Sequence, residues 1–326
     1  MFTTGLEPSA SRSESAGTKL PKLLATTVVH GASQGESHGG LFLVDLYRHT
    51  VIQTVDEDSE DIEWFGDEGG RGLRGIAFDG ETVYVTASNR LIAYDRRFRF
   101  IESWQNPYLT NCHGICVYER NLFLASTGND CILAFDLDEK KFHWAMRVMS
   151  EHFQFRPVTF DPMNPDGPMF INKLELKSVR AEKGGMYITG MNTGGLLHFN
   201  GDEINMSVQL PRGAQDAHLF RNGVLFNDSK AGVLRYTGDD EGAEDRAMAV
   251  PFFTESDHLP NDSNTTRMLK RGYARGLCII SDKVVAGGST PAGVSLYDLK
   301  ENKRLLTVTF TRSVQMAINC IEVFSD

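Results

Sequence analysis

The amino-acid sequence predicts an all-β protein built from many short strands. Its 326 residues include 31 glycines, 20 phenylalanines and 9 tyrosines, and turn residues separate short alternating apolar segments throughout the chain. Apolar residues do not recur at helical spacing over any useful length. A hydrophobic content of 41% is too high for a disordered chain, and no apolar run approaches the roughly 20 residues of a membrane span.

A hairpin of one kind recurs six times along the chain. In each copy a short apolar strand contains an aromatic residue and ends in a polar turn, and a second alternating strand follows. The first strands of the copies are LFLVDLY, LIAYD, ILAFDL, LLHFNG, VLRYTG and VSLYDL, at residues 41–47, 91–95, 132–137, 196–201, 233–238 and 294–299.

A further pair of strands precedes five of these hairpins, at residues 73–87, 113–126, 177–190, 216–228 and 275–288. The sixth pair is divided between the two ends of the chain, with KLLATTVV at 22–29 and AINCIEVF at 317–324. Four strands per repeat, with one repeat completed by both termini, is how a β-propeller closes its ring. The sequence therefore predicts a six-bladed β-propeller with four antiparallel strands per blade, closed by the N- and C-terminal strands in one blade.

The beginning of the chain and its cysteines bear on domain organisation and location. Residues 1–20 are serine-rich and lack the apolar region of a secretory signal, so we expect a disordered leader before a single propeller domain at 21–326. The five cysteines are an odd number in a chain without an export signal. This favours buried thiols over disulfides, and it favours a cytoplasmic location.

The charge of the chain is unevenly distributed over the predicted fold. With 43 acidic and 33 basic side chains the net charge is −10, which argues against a nucleic-acid partner bound through a broad basic surface. Alignment of the repeats nevertheless places basic residues at the start of four innermost strands, namely Arg74, His113, Lys177 and Arg275. In the other two repeats the same position falls at Gln215 or Asp216, and at Ala317 or Asn319.

Three cations and an imidazole at the mouth of a central channel suit a small carboxylate, sulfate or phosphate, which arginine binds bidentately. His113 could act there as general acid, general base or nucleophile, and Asp216 could orient it or pair with an arginine. The pattern predicts an enzyme that acts on a small anionic molecule by lyase, hydrolase or group-transfer chemistry. The alternatives are a non-catalytic ligand-binding propeller, a protein-interaction propeller, and polar residues that merely plug the channel.

Further histidines are candidates for substrate binding. His218 lies three residues into its strand, where a structural role competes with ligand binding, and His30 and His38 flank the glycine-rich loop HGASQGESHGG. The backbone N–H groups of such a loop can also bind an anion. A divalent metal held by these histidines and His113 is an alternative that the neighbouring cations oppose. No cofactor is predicted.

One long insertion interrupts the repeats, at residues 149–173. It contains four prolines and four phenylalanines, which make it too aromatic for plain disorder, and long loops on a rigid scaffold are usually functional. We expect a lid over the channel mouth, with Phe153, Phe155 and Phe160 able to cover a ligand. The loops at 56–72 and 253–272 are expected on the same face.

The repeat resembles the six-bladed propeller superfamily that includes the gluconolactonases and strictosidine-synthase-like proteins. The resemblance implies that fold over residues 22–324, but those lactonases hold calcium with Glu, Asn and Asp where this chain has its basic residues. The segments NCHGICVYERNLFLASTGNDCILAFDL and YARGLCIISDKVVAGGS are similar to an uncharacterised group of bacterial propellers. Where that group tends to have histidines in two further blades, this chain has Lys177 and Asp216. The likeness implies a site at the channel without naming a reaction.

Overall fold

The computed structural model describes residues 20–33, 35–58, 72–152, 154–238, 245–251 and 272–325. Phe153, the predicted leader apart from Leu20, and most of the loops at 56–72 and 253–272 lie outside these ranges. One 3-10 turn, Thr127–Asn129, is present. No helix within the described ranges is long and apolar enough to cross a membrane.

The described residues form 25 strands, numbered in chain order. The first twelve are β1 (Lys22–Val29), β2 (Gly40–Asp45), β3 (Thr50–Asp56), β4 (Ile76–Asp79), β5 (Thr82–Thr86), β6 (Arg90–Asp95), β7 (Phe100–Gln105), β8 (Cys112–Tyr118), β9 (Asn121–Ser126), β10 (Cys131–Asp136), β11 (Lys141–Glu151) and β12 (Gln154–Phe160). The others are β13 (Leu176–Glu182), β14 (Gly185–Gly190), β15 (Gly195–Phe199), β16 (Ile204–Gln209), β17 (Ala214–Phe220), β18 (Gly223–Asp228), β19 (Val233–Gly238), β20 (Arg246–Ala249), β21 (Tyr273–Ile279), β22 (Val284–Thr290), β23 (Gly293–Asp298), β24 (Lys303–Thr309) and β25 (Met316–Phe324).

These strands form antiparallel sheets in which consecutive strands are neighbours. Four sheets have four strands each, in the orders β25-β1-β2-β3, β4-β5-β6-β7, β17-β18-β19-β20 and β21-β22-β23-β24. A nine-stranded sheet has the order β13-β14-β15-β16-β12-β11-β10-β9-β8, so β12 joins two runs of four strands. In the first sheet Lys22 lies opposite Phe324 and Val29 opposite Met316. Strands from the two ends of the described chain therefore share one sheet.

Part of the predicted lid is a strand. β12 pairs along its length with β11, and Phe155 pairs with Ile204 on β16. Phe155 also packs against the buried cluster to which Ile204 belongs. An outermost strand exposes unpaired N–H and C=O groups. β12 covers that edge of β11 along its length and meets the edge of β16 at one residue pair. The prediction of a loop over 149–173 was wrong for residues 149–151, which extend β11, and for residues 154–160, because their backbone pairs with that of β11.

We name β4, β8, β13, β17, β21 and β25 the inner strands, because each is the terminal strand of a run of four and contacts inner strands of other sheets. β4 contacts β8, and the contacts continue in chain order to β25, which contacts β4. This closed circuit surrounds a space that we call the central channel. Buried apolar side chains of neighbouring sheets pack behind it, as Leu24, Ile76 and Phe324 do, and their removal from water stabilises the arrangement.

Candidate functional site

A β-bulge near the start of the inner strands sets the direction of the predicted site residues. Arg74 N–H donates to Thr86 O at 2.7 Å, and Thr86 N–H donates to Gly75 O at 3.1 Å. Two residues, Arg74 and Gly75, therefore lie opposite the single residue Thr86. A bulge re-aims side chains, and the extra residues of β8 and β13 include His113 and Lys177. Register shifts in the other inner strands fall at Gln215–His218, Arg275–Leu277 and Ile318–Cys320.

Hydroxyl side chains on second strands fasten these bulges to the next inner strand. Thr86 Oγ1 accepts from Gly75 N–H at 2.8 Å and donates to His113 O at 2.9 Å. Thr26 on β1 accepts from the backbone of β25 and donates to Arg74 O. Each hydroxyl thus ties two neighbouring inner strands together at the level of the predicted site.

The structure brings three of the predicted mouth residues into contact around one imidazole. Arg74 Nη1 lies 3.3 Å from His113 Nδ1 and also within hydrogen-bond distance of Nε2. Lys177 Nζ lies 2.9 Å from the same Nε2, and Asn319 adds a hydrogen bond to the ring. Because guanidinium and ammonium groups only donate, Nε2 is assigned as the acceptor of both. We name Arg74, His113, Lys177 and Arg275 the mouth cluster.

Burial and like charges shift the proton equilibria of the mouth cluster. Burial, followed by the charges of Lys177, Arg74 and Arg275, lowers the pKa of His113 well below 6.5, so the imidazole is neutral near pH 7. Burial and the two arginines lower the pKa of Lys177 to about 7. Burial and Arg275 lower the pKa of Arg74 to about 9. A bound anion would relieve this repulsion.

Arg275 completes the mouth cluster from β21. Its guanidinium carbon lies 4.9 Å from the centroid of the Tyr273 ring, which is cation–π distance. Within the described ranges its Nε is buried without a hydrogen-bond partner, and the ion pairs found there involve neither Lys177 nor Arg275. Glu175 and Asp216 act on Lys177 only as longer-range charges. Among the described residues, the charges of Lys177 and Arg275 are therefore not balanced by an ion pair.

Asp216 contacts its own sheet and the neighbouring sheet, and its described contacts do not reach His113. Its Oδ2 accepts from Asn227 Nδ2 at 3.1 Å and from Gly276 N–H at 3.0 Å, and its contacts among the described residues do not include His113. Burial raises the pKa of Asp216 although these hydrogen bonds oppose the shift. Asp216 therefore fixes the backbone next to Arg275 and is a positioning residue in this geometry.

A second polar cluster, the floor cluster, consists of Arg180, His218 and Glu322. Arg180 Nη2 lies 3.2 Å from both Glu322 Oε1 and His218 Nε2. β13 and β25 lie on opposite sides of the circuit of inner strands, so the ion pair spans the channel. The Arg180 side chain keeps 39% exposure although strands surround it, so its exposed surface faces the channel. Burial and Arg180 hold the pKa of His218 well below 6.5.

Sequence reasoning missed the floor residues Arg180 and Glu322. A signal was present, because they follow Lys177 and Asn319 by three positions, as His218 follows Gln215. A regular strand turns residues three apart to opposite faces. Only the bulge lets both members of each pair face the channel, and the bulge was not predicted.

Four of the cysteines lie on inner strands, and Cys131 lies on β10, the third strand of its run. All five are free, and Cys116, Cys278 and Cys320 lie close enough to Arg180 to feel its charge. Burial raises the pKa of each of these three thiols, and it raises the pKa of Cys112 and Cys131 to about 12. Protonated thiols are weak nucleophiles and weak metal ligands.

His30 and His38 lie in the loop between β1 and β2. His30 N–H donates to Gln315 O and His38 N–H donates to Glu57 O, both at 2.8 Å, and His38 is buried. The described contacts of His113 include neither histidine. In the part of the chain that the structure describes, no group of three or more His, Cys, Asp or Glu side chains could hold a metal ion.

The mouth cluster can hold an oxyanion and move a proton. The guanidinium groups of Arg74 and Arg275 are fixed donors of the kind that binds carboxylate, sulfate and phosphate. Lys177 changes its charge near pH 7, and His113 accepts a hydrogen bond from it. A group whose pKa lies near the working pH is suited to acid–base chemistry.

Comparisons with known proteins bear on the fold. No protein-family model and no curated protein matches the chain. A chain of the nidogen/laminin complex, a β-propeller, has a TM-score of 0.53 at 14% identity, over 93% of this chain and 98% of that one. A protein of unknown function from Bacteroides caccae has a TM-score of 0.59 at 10% identity, over 94% and 100%. Identities this low show the fold alone: the chain is a β-propeller.

Proposed function

We propose that the mouth cluster binds a small carboxylate, sulfate or phosphate, and that the protein is an enzyme acting on the bound anion. The observation that carries this proposal is the convergence of Arg74 and Lys177 on one nitrogen of His113, with Arg275 acting on all three. Cations held together inside a channel cannot spread apart as surface cations do. Their field is focused there, although the whole chain carries −10.

The proposed roles follow from the chemistry of each group. Arg74 and Arg275 hold the anion and stabilise negative charge that develops during the reaction. His113 and Lys177, which share a hydrogen bond, transfer a proton. Asp216 holds the backbone beside Arg275.

The proposed frame for this site is a six-bladed propeller of the superfamily that includes the gluconolactonases, close to the bacterial propellers noted above. The runs of four strands and the sheet shared by β1 and β25 support this count. The mouth residues do not suit the calcium of the lactonases, because three of them are basic. Five free thiols are compatible with the proposed cytoplasmic location.

Thermal unfolding in the presence of sulfate, phosphate, lactate and pyruvate tests anion binding. A ligand that binds only the folded protein raises the midpoint by mass action, and we expect at least one of these anions to do so. In Arg275→Met the affinity should fall roughly 10- to 100-fold, because a charge-assisted hydrogen bond contributes about 1.5–3 kcal/mol.

Arg48→Met is the matched control, since Arg48 is 76% exposed on a surface turn. It should leave the affinity unchanged. If none of the four anions stabilises the protein, or if Arg48→Met weakens binding as much as Arg275→Met, the anion site is wrong. Each anion that binds is then incubated with the protein, and its conversion is followed by NMR. Binding without conversion favours the non-catalytic alternative.

A further inference from the structure

We propose that Lys177 is a nucleophile that forms an imine with the carbonyl group of a small 2-oxo carboxylate. The inference deepens the proposed function and rests on it, because the same mouth cluster must first bind the carboxylate. It assigns to Lys177 a covalent role beyond holding charge.

The first support is the geometry of the amine. Lys177 Nζ donates to His113 Nε2 at 2.9 Å. When the amine is unprotonated, this bond uses one of its N–H groups and leaves its lone pair available. Lys177 is only partly buried although it lies inside the circuit of inner strands, so its accessible surface faces the channel. A carbonyl carbon that enters from the mouth can reach this nitrogen.

The second support is the charge around Lys177. The charged and titratable groups that act on it come from all sides of the cluster, namely Arg74, His113, Glu175, Asp216 and Arg275. Burial and the two arginines outweigh the two carboxylates and lower the pKa of Lys177 to about 7. A substantial fraction of the amine is therefore unprotonated near neutral pH, as a lysine nucleophile requires.

The third support names the substrate class. Arg74 and Lys177 both lie within hydrogen-bond distance of one nitrogen atom, so the groups that they bind must be close neighbours in the ligand. A carboxylate on the arginine places an adjacent carbonyl carbon beside the lysine. This spacing fits a 2-oxo acid better than an acid whose carbonyl lies several bonds away.

The proposed step balances without a further reactant. The lone pair of Nζ forms a bond to the carbonyl carbon, and the carbonyl π pair moves to oxygen. One proton from the nitrogen reaches that oxygen through His113. The resulting hydroxyl leaves as water with the second N–H proton, and a neutral imine remains. The amine and the carbonyl compound thus give the imine and one water.

Reductive trapping tests the assignment. The full chain is incubated with pyruvate and cyanoborohydride, and intact mass and peptide mapping locate the secondary amine that forms. We expect labelling at Lys177, loss of that label in Lys177→Met and in Lys177→Arg, and no change in Lys183→Met, whose lysine is exposed. Labelling of Lys177 should increase as the pH rises through about 7, whereas ordinary surface lysines respond only at much higher pH. If Lys177→Met fails to fold, Lys177→Arg takes its place because it retains the cation. Peptide mapping of the unaltered protein locates the label without any variant.

Lactate separates this inference from the anion site, because it carries the carboxylate but no carbonyl. If lactate or pyruvate raises the unfolding midpoint while pyruvate labels only surface lysines, the nucleophile is wrong and the anion site remains. The inference is equally wrong if sulfate binds and pyruvate does not. If no anion binds, the proposed function fails and the inference with it.

Discussion

At the level of single residues, Lys177 is in an environment that disfavours its charge. Its neighbours Arg74 and Arg275 repel it, and the inner strands remove much of its water. A side chain selected only for stability would be neutral or paired with a carboxylate. Residues that are unfavourable for folding concentrate at functional sites, and the shift of Lys177 therefore agrees with a role in chemistry.

This environment predicts how stability depends on pH. Lys177 has a pKa of about 7 in the folded protein, whereas in the unfolded chain it has the ordinary lysine pKa of 10.5. Between about pH 7 and 9 the unfolded state binds more protons, so the free energy of unfolding should rise with pH, by at most about 1.4 kcal/mol per pH unit for one proton. Urea unfolding across this interval should show a smaller slope for Lys177→Met than for the unaltered protein.

The exposed Lys183 supplies the control for this experiment. Lys183→Met should keep the slope of the unaltered protein, because Lys183 is exposed and lies outside the mouth cluster. Equal slopes for the unaltered protein and Lys177→Met would show that Lys177 titrates as an ordinary lysine, and the charge argument for the mouth cluster would lose its support.

At the level of single elements, the bulge explains what sequence reasoning could and could not predict. The order of the strands follows from alternation and turns, and the start of each inner strand follows from the repeat. The pairing of mouth and floor residues three positions apart, such as Lys177 with Arg180, does not follow. In a regular strand the side chains alternate between the two faces, so residues three positions apart point to opposite faces. The extra residue of a bulge hardly changes the amino-acid composition of its strand. β12 was missed because it is an extra strand outside the four-strand repeat, paired with β11 directly before it and, at Phe155 alone, with β16.

The role of the bulge at the start of β4 in positioning the site can be tested at Gly75. A Cβ at this position would lie well inside contact distance of His113 O and 3.0 Å from Ile115 Cγ1, so Gly75→Ala must displace the backbone that carries His113. We expect a loss of about 1–3 kcal/mol in the free energy of unfolding, together with weaker binding of whichever anion stabilises the unaltered protein. Urea unfolding and thermal shift measure the two effects.

Gly184→Ala is the comparison for this prediction. An added Cβ there meets no atom within 4 Å, and the change in stability should stay within about 0.5 kcal/mol. If both alanine variants behave alike, the close approach between Gly75 and β8 does not position the site.

At the level of the whole molecule, the circuit of inner strands brings together residues that are distant in sequence. Arg180 and Glu322 are separated by 142 positions, and no local pattern marks them as partners. Sequence alone grouped Arg74, His113 and Lys177, since they share one position in the repeat, and these three side chains are in contact. It did not locate contacts across the channel, because those depend on the curvature of the complete circuit. The floor pair thus joins opposite sides of the propeller beneath the mouth cluster.

The floor pair predicts a stability effect that is separate from binding. Glu322→Gln leaves the guanidinium of Arg180 without its carboxylate inside the channel, and the free energy of unfolding should fall by about 1–3 kcal/mol. The double variant Arg180→Met/Glu322→Leu should recover part of this loss, because no unpaired charge remains. Arg99→Met, which breaks a surface pair with 73% exposure of the arginine, should cost less than about 1 kcal/mol. Anion affinity at the mouth should change little in Glu322→Gln; a large loss there would mean that mouth and floor act as one site.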